Sequence, residues 1–109
     1  QRLSNLIAIV DLNGQQAMGY TRDVMDLSPM ADKWRAFQWD VHEVDGNNLA
    51  EISGALKGLD TISGQPHVLI AKTVFGKGVS FMEKQIKWHY MPLAMEEYQQ
   101  AILEIDAIA

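Results

Sequence analysis

The chain has 109 residues, of which 48% are hydrophobic, with a formal net charge of −5 and no cysteine. This length suits one globular unit, while the negative charge argues against a nucleic-acid partner because no basic stripe is available to neutralise phosphates. No apolar run approaches the roughly 20 residues of a membrane span. The lack of cysteine excludes disulfides and thiolate metal ligands and fits a cytoplasmic protein.

The first predicted element is a strand. Five apolar residues, 6–10, follow one another without alternation and stop at Asp11, Asn13 and Gly14. Such a run, bounded by turn residues, predicts a strand buried on both faces. Since ligands of open α/β sheets bind just outside the carboxyl ends of the strands, a site is expected at residues 11–15.

Helix and strand patterns alternate along the rest of the chain. Ser28-Pro29 predicts a helix start with serine as the N-cap, and Asn48 followed by Glu51 predicts another. The predicted elements are a helix over 29–37, an edge or half-covered strand over 39–44, a helix beginning at 48, a buried strand over 67–73 and a helix over 93–108. This order predicts an α/β fold, a parallel sheet with flanking helices, whose strands present their carboxyl ends at one edge.

A few side chains are candidates for chemistry. The amide oxygen of Asn13 suits Mg²⁺ or Ca²⁺, although an Asx-turn that caps the strand is the commoner role of such a residue. His89 lies in an irregular segment and could transfer protons near neutral pH, whereas His42 and His67 fall within strands and are interpreted as structural. The glycine-containing segment 73–78 is either a phosphate-approaching loop or a plain one.

Four motifs, taken in order, resemble the thiamine-diphosphate-dependent transketolases. They are residues 9–16 with Gly19, residues 34–39 with 44–46, residues 72–83 and residues 88–93. The resemblance is to the half that binds the cofactor diphosphate, and above all to the N-terminal subunit of split, two-chain transketolases. It implies transfer of a two-carbon ketol unit between sugar phosphates with thiamine diphosphate and Mg²⁺.

The resemblance also implies roles for particular residues. Asn13 matches an asparagine that coordinates Mg²⁺ through its side chain, and Gln15 matches the position that gives the metal its backbone carbonyl. His89 matches a histidine near the cofactor diphosphate and the reacting substrate, which makes it the catalytic candidate. Phe75 falls near a position that packs on the cofactor.

The Gly-Asp-Gly of the thiamine motif is absent from the chain. Residues 1–109 are therefore interpreted as the C-terminal part of a thiamine-diphosphate-binding domain, a partial fold that we expect to be inactive alone. The expected partners are a C-terminal subunit with the pyrimidine-binding domain and further copies in a homo-oligomer. The alternatives are another thiamine enzyme, such as a deoxyxylulose-phosphate synthase or a dehydrogenase component, and a non-catalytic α/β scaffold or interaction module.

Overall fold

Strand β5, His67–Lys72, occupies the middle of a three-stranded parallel sheet in the computed structural model, which describes residues 2–108. It lies between β1 (Ile7–Leu12) on one side and β4 (Asp40–Asp45) on the other, so that the sheet order is β1-β5-β4. The described residues form two units, residues 2–13 with 26–73 and residues 14–25 with 74–108. The first unit holds β1 (Ile7–Leu12), α2 (Met30–Ala36), β4 (Asp40–Asp45), α3 (Leu49–Lys57) and β5. The second unit holds β2 (Gln15–Gln16), β3 (Gly19–Tyr20), α1 (Thr21–Val24), a 3₁₀ helix (Ile86–His89) and α4 (Met95–Asp106).

The core of the first unit is β5, from which only the last residue, Lys72, is exposed. Both neighbours run parallel to it, so its backbone is hydrogen-bonded along both edges. Helices α2 and α3 pack against β4, and Trp34 meets Trp39 edge to face with 4.7 Å between ring centroids. The predicted parallel α/β sheet, the buried strand over 67–73 and the edge position of β4 are confirmed.

The prediction that the first strand is buried on both faces is wrong. β1 is an edge strand, and Ile9 is 61% exposed. Its apolar run is typical of a central strand, but the central place belongs to β5, which pairs with both other strands.

The helix starts agree with the predictions in one case and differ in another. The side chain of Asn48 accepts hydrogen bonds from the backbone N–H groups of Ala50 and Glu51, as expected of an N-cap. Ser28 does not cap α2, since Pro29 is the N-cap residue and no side chain bonds the free N–H groups there. The backbone N–H of Ser28 instead donates to Asp26.

The second unit is built on the glycine-containing loop and α4. Val79 and Ala101 are its buried aliphatic residues. Glu104 of α4 accepts hydrogen bonds from the backbone N–H and the hydroxyl of Ser80, so a charged group ties this loop to the helix. Among residues 2–108, no helix has the length and apolarity to cross a membrane.

Candidate functional site

The three strands of the first unit end together at one edge of the sheet. The register aligns Leu12, Lys72 and Asp45, so that Asn13 and Thr73 are the next residues beyond their strands. The Thr73 hydroxyl donates a hydrogen bond to the Asp11 carboxylate. Half-buried Asn13 therefore follows β1 at the edge where ligands of parallel sheets collect.

Gln15 begins the second unit as a buried residue of strand β2. It pairs with Tyr20 in a two-stranded antiparallel ribbon, and the Gly14 carbonyl before it accepts a hydrogen bond from the Thr21 backbone N–H at 2.9 Å. Gln15 thus combines a buried side chain with a backbone that belongs to the two-stranded ribbon. This suits a position at which the backbone carbonyl, rather than the side chain, is the functional group.

The rings of Phe75 and His89 are stacked, with 4.4 Å between centroids and 21° between planes. Phe75 is half-buried and His89 is exposed. The carbonyl of Phe75 accepts a hydrogen bond from the Lys84 backbone N–H, and the Tyr20 hydroxyl donates to the Lys84 carbonyl. Stacking engages the face of the imidazole and leaves the ring nitrogens at its edge, where they can bond a ligand.

The 3₁₀ helix that carries His89 is fixed by its neighbours. The Trp88 indole N–H donates to the Phe81 carbonyl at 3.1 Å, and the ammonium of Lys87 lies 4.2 Å from the centre of the Trp88 ring. Lys87 also pairs with Glu97 of α4 at 3.2 Å. The backbone N–H of Ala94 and the side chain of Lys87 together hold the pKa of Glu97 below its ordinary value.

The glycine-containing loop is folded on itself. Its N–H groups at Lys77, Gly78 and Val79 donate to the Val74 carbonyl, the Glu83 carboxylate and the Gly76 carbonyl. These bonds fold the loop that carries Phe75. A role for other N–H groups of the loop in approaching a phosphate stays a prediction.

A cluster of Asp40, His42 and His67 in the first unit was missed by sequence reasoning. Both histidines bond one carboxylate oxygen of Asp40. Partial burial raises the pKa of Asp40, but these two hydrogen bonds and the charges of the rings outweigh it and lower that pKa overall. The alternation of β4 could suggest that Asp40 and His42 share a face, but only the strand register brings His67 beside them.

Of the four predicted site residues, Phe75 and His89 are in direct contact within the second unit, to which Gln15 also belongs. Asn13 is the last residue of the first stretch of the first unit. The chemistry available is thus an amide oxygen at a strand end, a fixed backbone carbonyl and a stacked imidazole.

The chain is similar to known proteins. The family model described as "Transketolase, thiamine diphosphate binding domain" matches residues 1–105. The chain is 42% identical over 104 residues to one of the subunits of apulose-4-phosphate transketolase from Phocaeicola vulgatus, covering 95% of this chain and 37% of that protein. It is 40% identical over 106 residues to the SqwG subunit of 6-deoxy-6-sulfo-D-fructose transketolase from a Clostridium species, covering 97% and 38%.

A solved structure shows the same fold. The crystal structure of transketolase from Campylobacter jejuni superposes with a TM-score of 0.85 at 28% identity, over 96% of this chain and 16% of that one. The chain thus spans well under half the length of the proteins that it matches. The matched residues and the shared parallel sheet show that the chain belongs to the transketolase family of thiamine diphosphate binding domains.

Proposed function

We propose that the chain is part of the N-terminal subunit of a split transketolase, which transfers a two-carbon ketol unit between sugar phosphates. The observation that carries this proposal is the match of the family model to residues 1–105, joined to about 40% identity with two proteins named as transketolase subunits. The subunit would act with a C-terminal subunit that supplies the pyrimidine-binding domain, in a homo-oligomeric assembly in the cytoplasm. Residues 1–109 would form the C-terminal part of the cofactor-binding domain.

The donor set fits a hard divalent cation. Mg²⁺ prefers oxygen ligands, and the residues at the start of the proposed site offer the amide oxygen of Asn13 and the backbone carbonyl of Gln15. Gln15 has a buried side chain and pairs with Tyr20 in the two-stranded ribbon. Its carbonyl would therefore lose little conformational entropy when it binds the ion. Asn13 and Gln15 would hold Mg²⁺, and through it the diphosphate of thiamine diphosphate.

Phe75 and His89 would serve the organic part of the reaction. Thiamine diphosphate supplies the carbanion chemistry of ketol transfer, while the protein supplies binding, orientation and proton handling. Phe75 would pack on the cofactor while its stack keeps the His89 ring in one orientation. His89 would bond the diphosphate and the substrate oxygen, and hold or transfer a proton at that oxygen.

The test uses the intact subunit together with its partner subunit, in ketol-transfer assays with sugar phosphates. His89→Ala is expected to lower kcat/KM by about a hundredfold or more, since positioned proton transfer contributes on that order. Gln85→Ala, just before the same 3₁₀ helix, is the matched control and is expected to keep full activity.

Asn13→Ala is expected to raise the Mg²⁺ concentration needed for cofactor binding by at least about tenfold, because even groups behind a metal ligand contribute that much. Asn5→Ala, before β1 instead of after it, is the control. Gln15→Met is expected to leave the Mg²⁺ requirement unchanged, since the backbone carbonyl survives the change. Full activity of both the His89 and Asn13 variants would favour the non-catalytic scaffold.

A separate measurement addresses residues 1–109 by themselves. We expect the excised chain neither to bind thiamine diphosphate tightly nor to catalyse transfer, because it contains no Gly-Asp-Gly aspartate for the metal. Saturable micromolar binding in isothermal titration calorimetry would show this expectation to be wrong.

A further inference from the structure

Asp40, His42 and His67 form a compact polar cluster where β4 and β5 begin. Asp40 and His67 are the first residues of neighbouring parallel strands and lie directly opposite each other. One carboxylate oxygen of Asp40, Oδ2, is 2.8 Å from His42 Nε2 and 2.9 Å from His67 Nδ1. The three atoms all lie within 4.8 Å of one another. The cluster is therefore at the opposite end of the sheet from Asn13.

His67 is held by both of its ring nitrogens. The side chain is fully buried, and its Nε2 lies 3.1 Å from the carbonyl oxygen of Asp60. The carbonyl of Asp60 can only accept, so Nε2 of His67 carries a hydrogen and donates it to that oxygen. The buried ring therefore has a polar partner at each of its two nitrogens.

The same geometry is the one that orients a metal-binding histidine. In such sites the second ring nitrogen donates to a carbonyl or carboxylate, which fixes the tautomer and aims the other nitrogen at the ion. With Nε2–H donating to Asp60, neutral His67 would present the Nδ1 lone pair toward Asp40 and His42. With His42 in the matching tautomer, one nitrogen of each ring and a carboxylate oxygen of Asp40 are then three potential ligand atoms that lie close together.

We propose that Asp40, His42 and His67 bind a borderline divalent cation of the Zn²⁺ class. Two imidazole nitrogens favour zinc over magnesium, so this site differs in chemistry from the proposed Mg²⁺ site. Zinc–nitrogen distances of about 2.0–2.1 Å set tetrahedral ligand atoms about 3.3 Å apart. A small rotation of His42 provides that spacing, since its side chain is 31% exposed. The partly exposed Asp40 and His42 leave an approach for the ion and room for water ligands.

The experiment titrates the chelator-treated intact protein with Zn²⁺ by calorimetry, with Mg²⁺ and thiamine diphosphate already saturating. One saturable site per chain is expected. Absence of saturable Zn²⁺ binding at micromolar concentrations would overturn the proposal. The titration measures Zn²⁺ binding and not ketol transfer. Its result therefore does not depend on whether the proposed function is correct.

The variants are chosen so that the fold survives. His42→Gln alters a partly exposed side chain and is expected to weaken Zn²⁺ binding by at least about tenfold. Asp40→Asn should do the same, while Glu43→Gln removes the same charge from the same strand outside the cluster and should leave binding unchanged. Asn13→Ala should also leave it unchanged. Equal affinity of the wild type and His42→Gln, or loss of binding in Asn13→Ala, would place the ion elsewhere and overturn the assignment.

Discussion

The Phe75 and His89 rings stack almost in parallel, 21° apart, although fourteen positions separate them in the sequence numbering. Phe75 comes from the glycine-containing loop and His89 from the end of the 3₁₀ helix. The stack restricts the imidazole to one plane. The loop is thereby part of the machinery that would orient the proposed catalytic histidine.

Removal of the stack is the first prediction. Phe75→Leu is expected to lower kcat/KM of the intact enzyme by about two- to tenfold, which corresponds to the roughly 0.5–1.5 kcal/mol of an aromatic pair. Phe75→Tyr keeps the aromatic ring and should have the same kcat/KM as the wild type. If Phe75 only filled space, the presence of a ring would not decide the result. Phe37→Leu makes the same change at an exposed ring and serves as the control. Equal kcat/KM for the Leu variant and the wild type would contradict the role of the stack.

The second prediction concerns Gly76 in the same loop. Its φ is +73°, and a Cβ built there would lie 2.6 Å from the Met82 carbonyl oxygen. Gly76→Ala should therefore lose about 1–2 kcal/mol of unfolding free energy from left-handed strain and about 1–3 kcal/mol more from overlap. Gly64 also has a positive φ, +80°, but no atom lies within 4 Å of a Cβ built there. Gly64→Ala therefore measures the backbone strain without the overlap. Chemical denaturation should give a lower free energy of unfolding for Gly76→Ala than for Gly64→Ala. The reverse order would contradict the close approach of the Met82 carbonyl to position 76.

The third prediction concerns the N-cap of α3. Asn48→Ala is expected to reduce the unfolding free energy by about 1 kcal/mol, because two backbone N–H groups lose their acceptor. Asn48→Asp keeps an acceptor oxygen at the same place and should be close to wild type. Thermal unfolding followed by circular dichroism measures both, and a stable Ala variant would show that water replaces the cap without loss.

The fourth prediction concerns Glu104 and pH. Hydrogen bonds from Gln100 and then from the backbone and hydroxyl of Ser80 lower the pKa of Glu104. A carboxylate whose pKa is lower in the folded than in the unfolded state stabilises the fold above the unfolded value, near 4.3, and loses this contribution as pH falls through the folded value. The stability difference between wild type and Glu104→Gln should thus be constant above about pH 5 and shrink below about pH 4.

Glu96→Gln is the matched control for that experiment, since it removes a carboxylate from the first turn of the same helix. Denaturant titrations at several pH values provide the comparison. A Glu104→Gln difference that grew on acidification would have the wrong sign and would exclude the hydrogen-bonded carboxylate as a source of stability.

Local features of the fold could be predicted because their causes are local. The cap at Asn48 needs only the next three residues, and the last helix follows from apolar residues three and four positions apart. The edge character of β4 was visible in its imperfect alternation. The parallel sheet followed from the order of strands and helices.

Some features of the candidate site also have local causes, and others do not. Asn13 and the loop with Phe75 could be located at strand ends from the pattern of the chain alone. The proposed roles of Gln15 and Phe75 came from resemblance to a family, because single residues at these positions carry no chemical signature. His89 was a candidate for proton transfer from its place in an irregular segment, and the resemblance added its proposed place beside the cofactor. The contact between Phe75 and His89 depends on how the loop folds back through Lys84, which no periodicity encodes.

The sequence by itself determined the three strands of the sheet, the helices α2, α3 and α4, the order of these elements and the family to which the chain belongs, since these depend on neighbouring residues and on motifs read in order. The short elements β2, β3, α1 and the 3₁₀ helix were not predicted. Only the tertiary structure decided that β5 instead of β1 is central, and that His67 meets Asp40 from 27 positions away. The physical reason is that strand order and register are set by the pairing of whole strands. An apolar run such as residues 6–10 indicates that a strand is favourable there. It does not determine which other strands will pair with it.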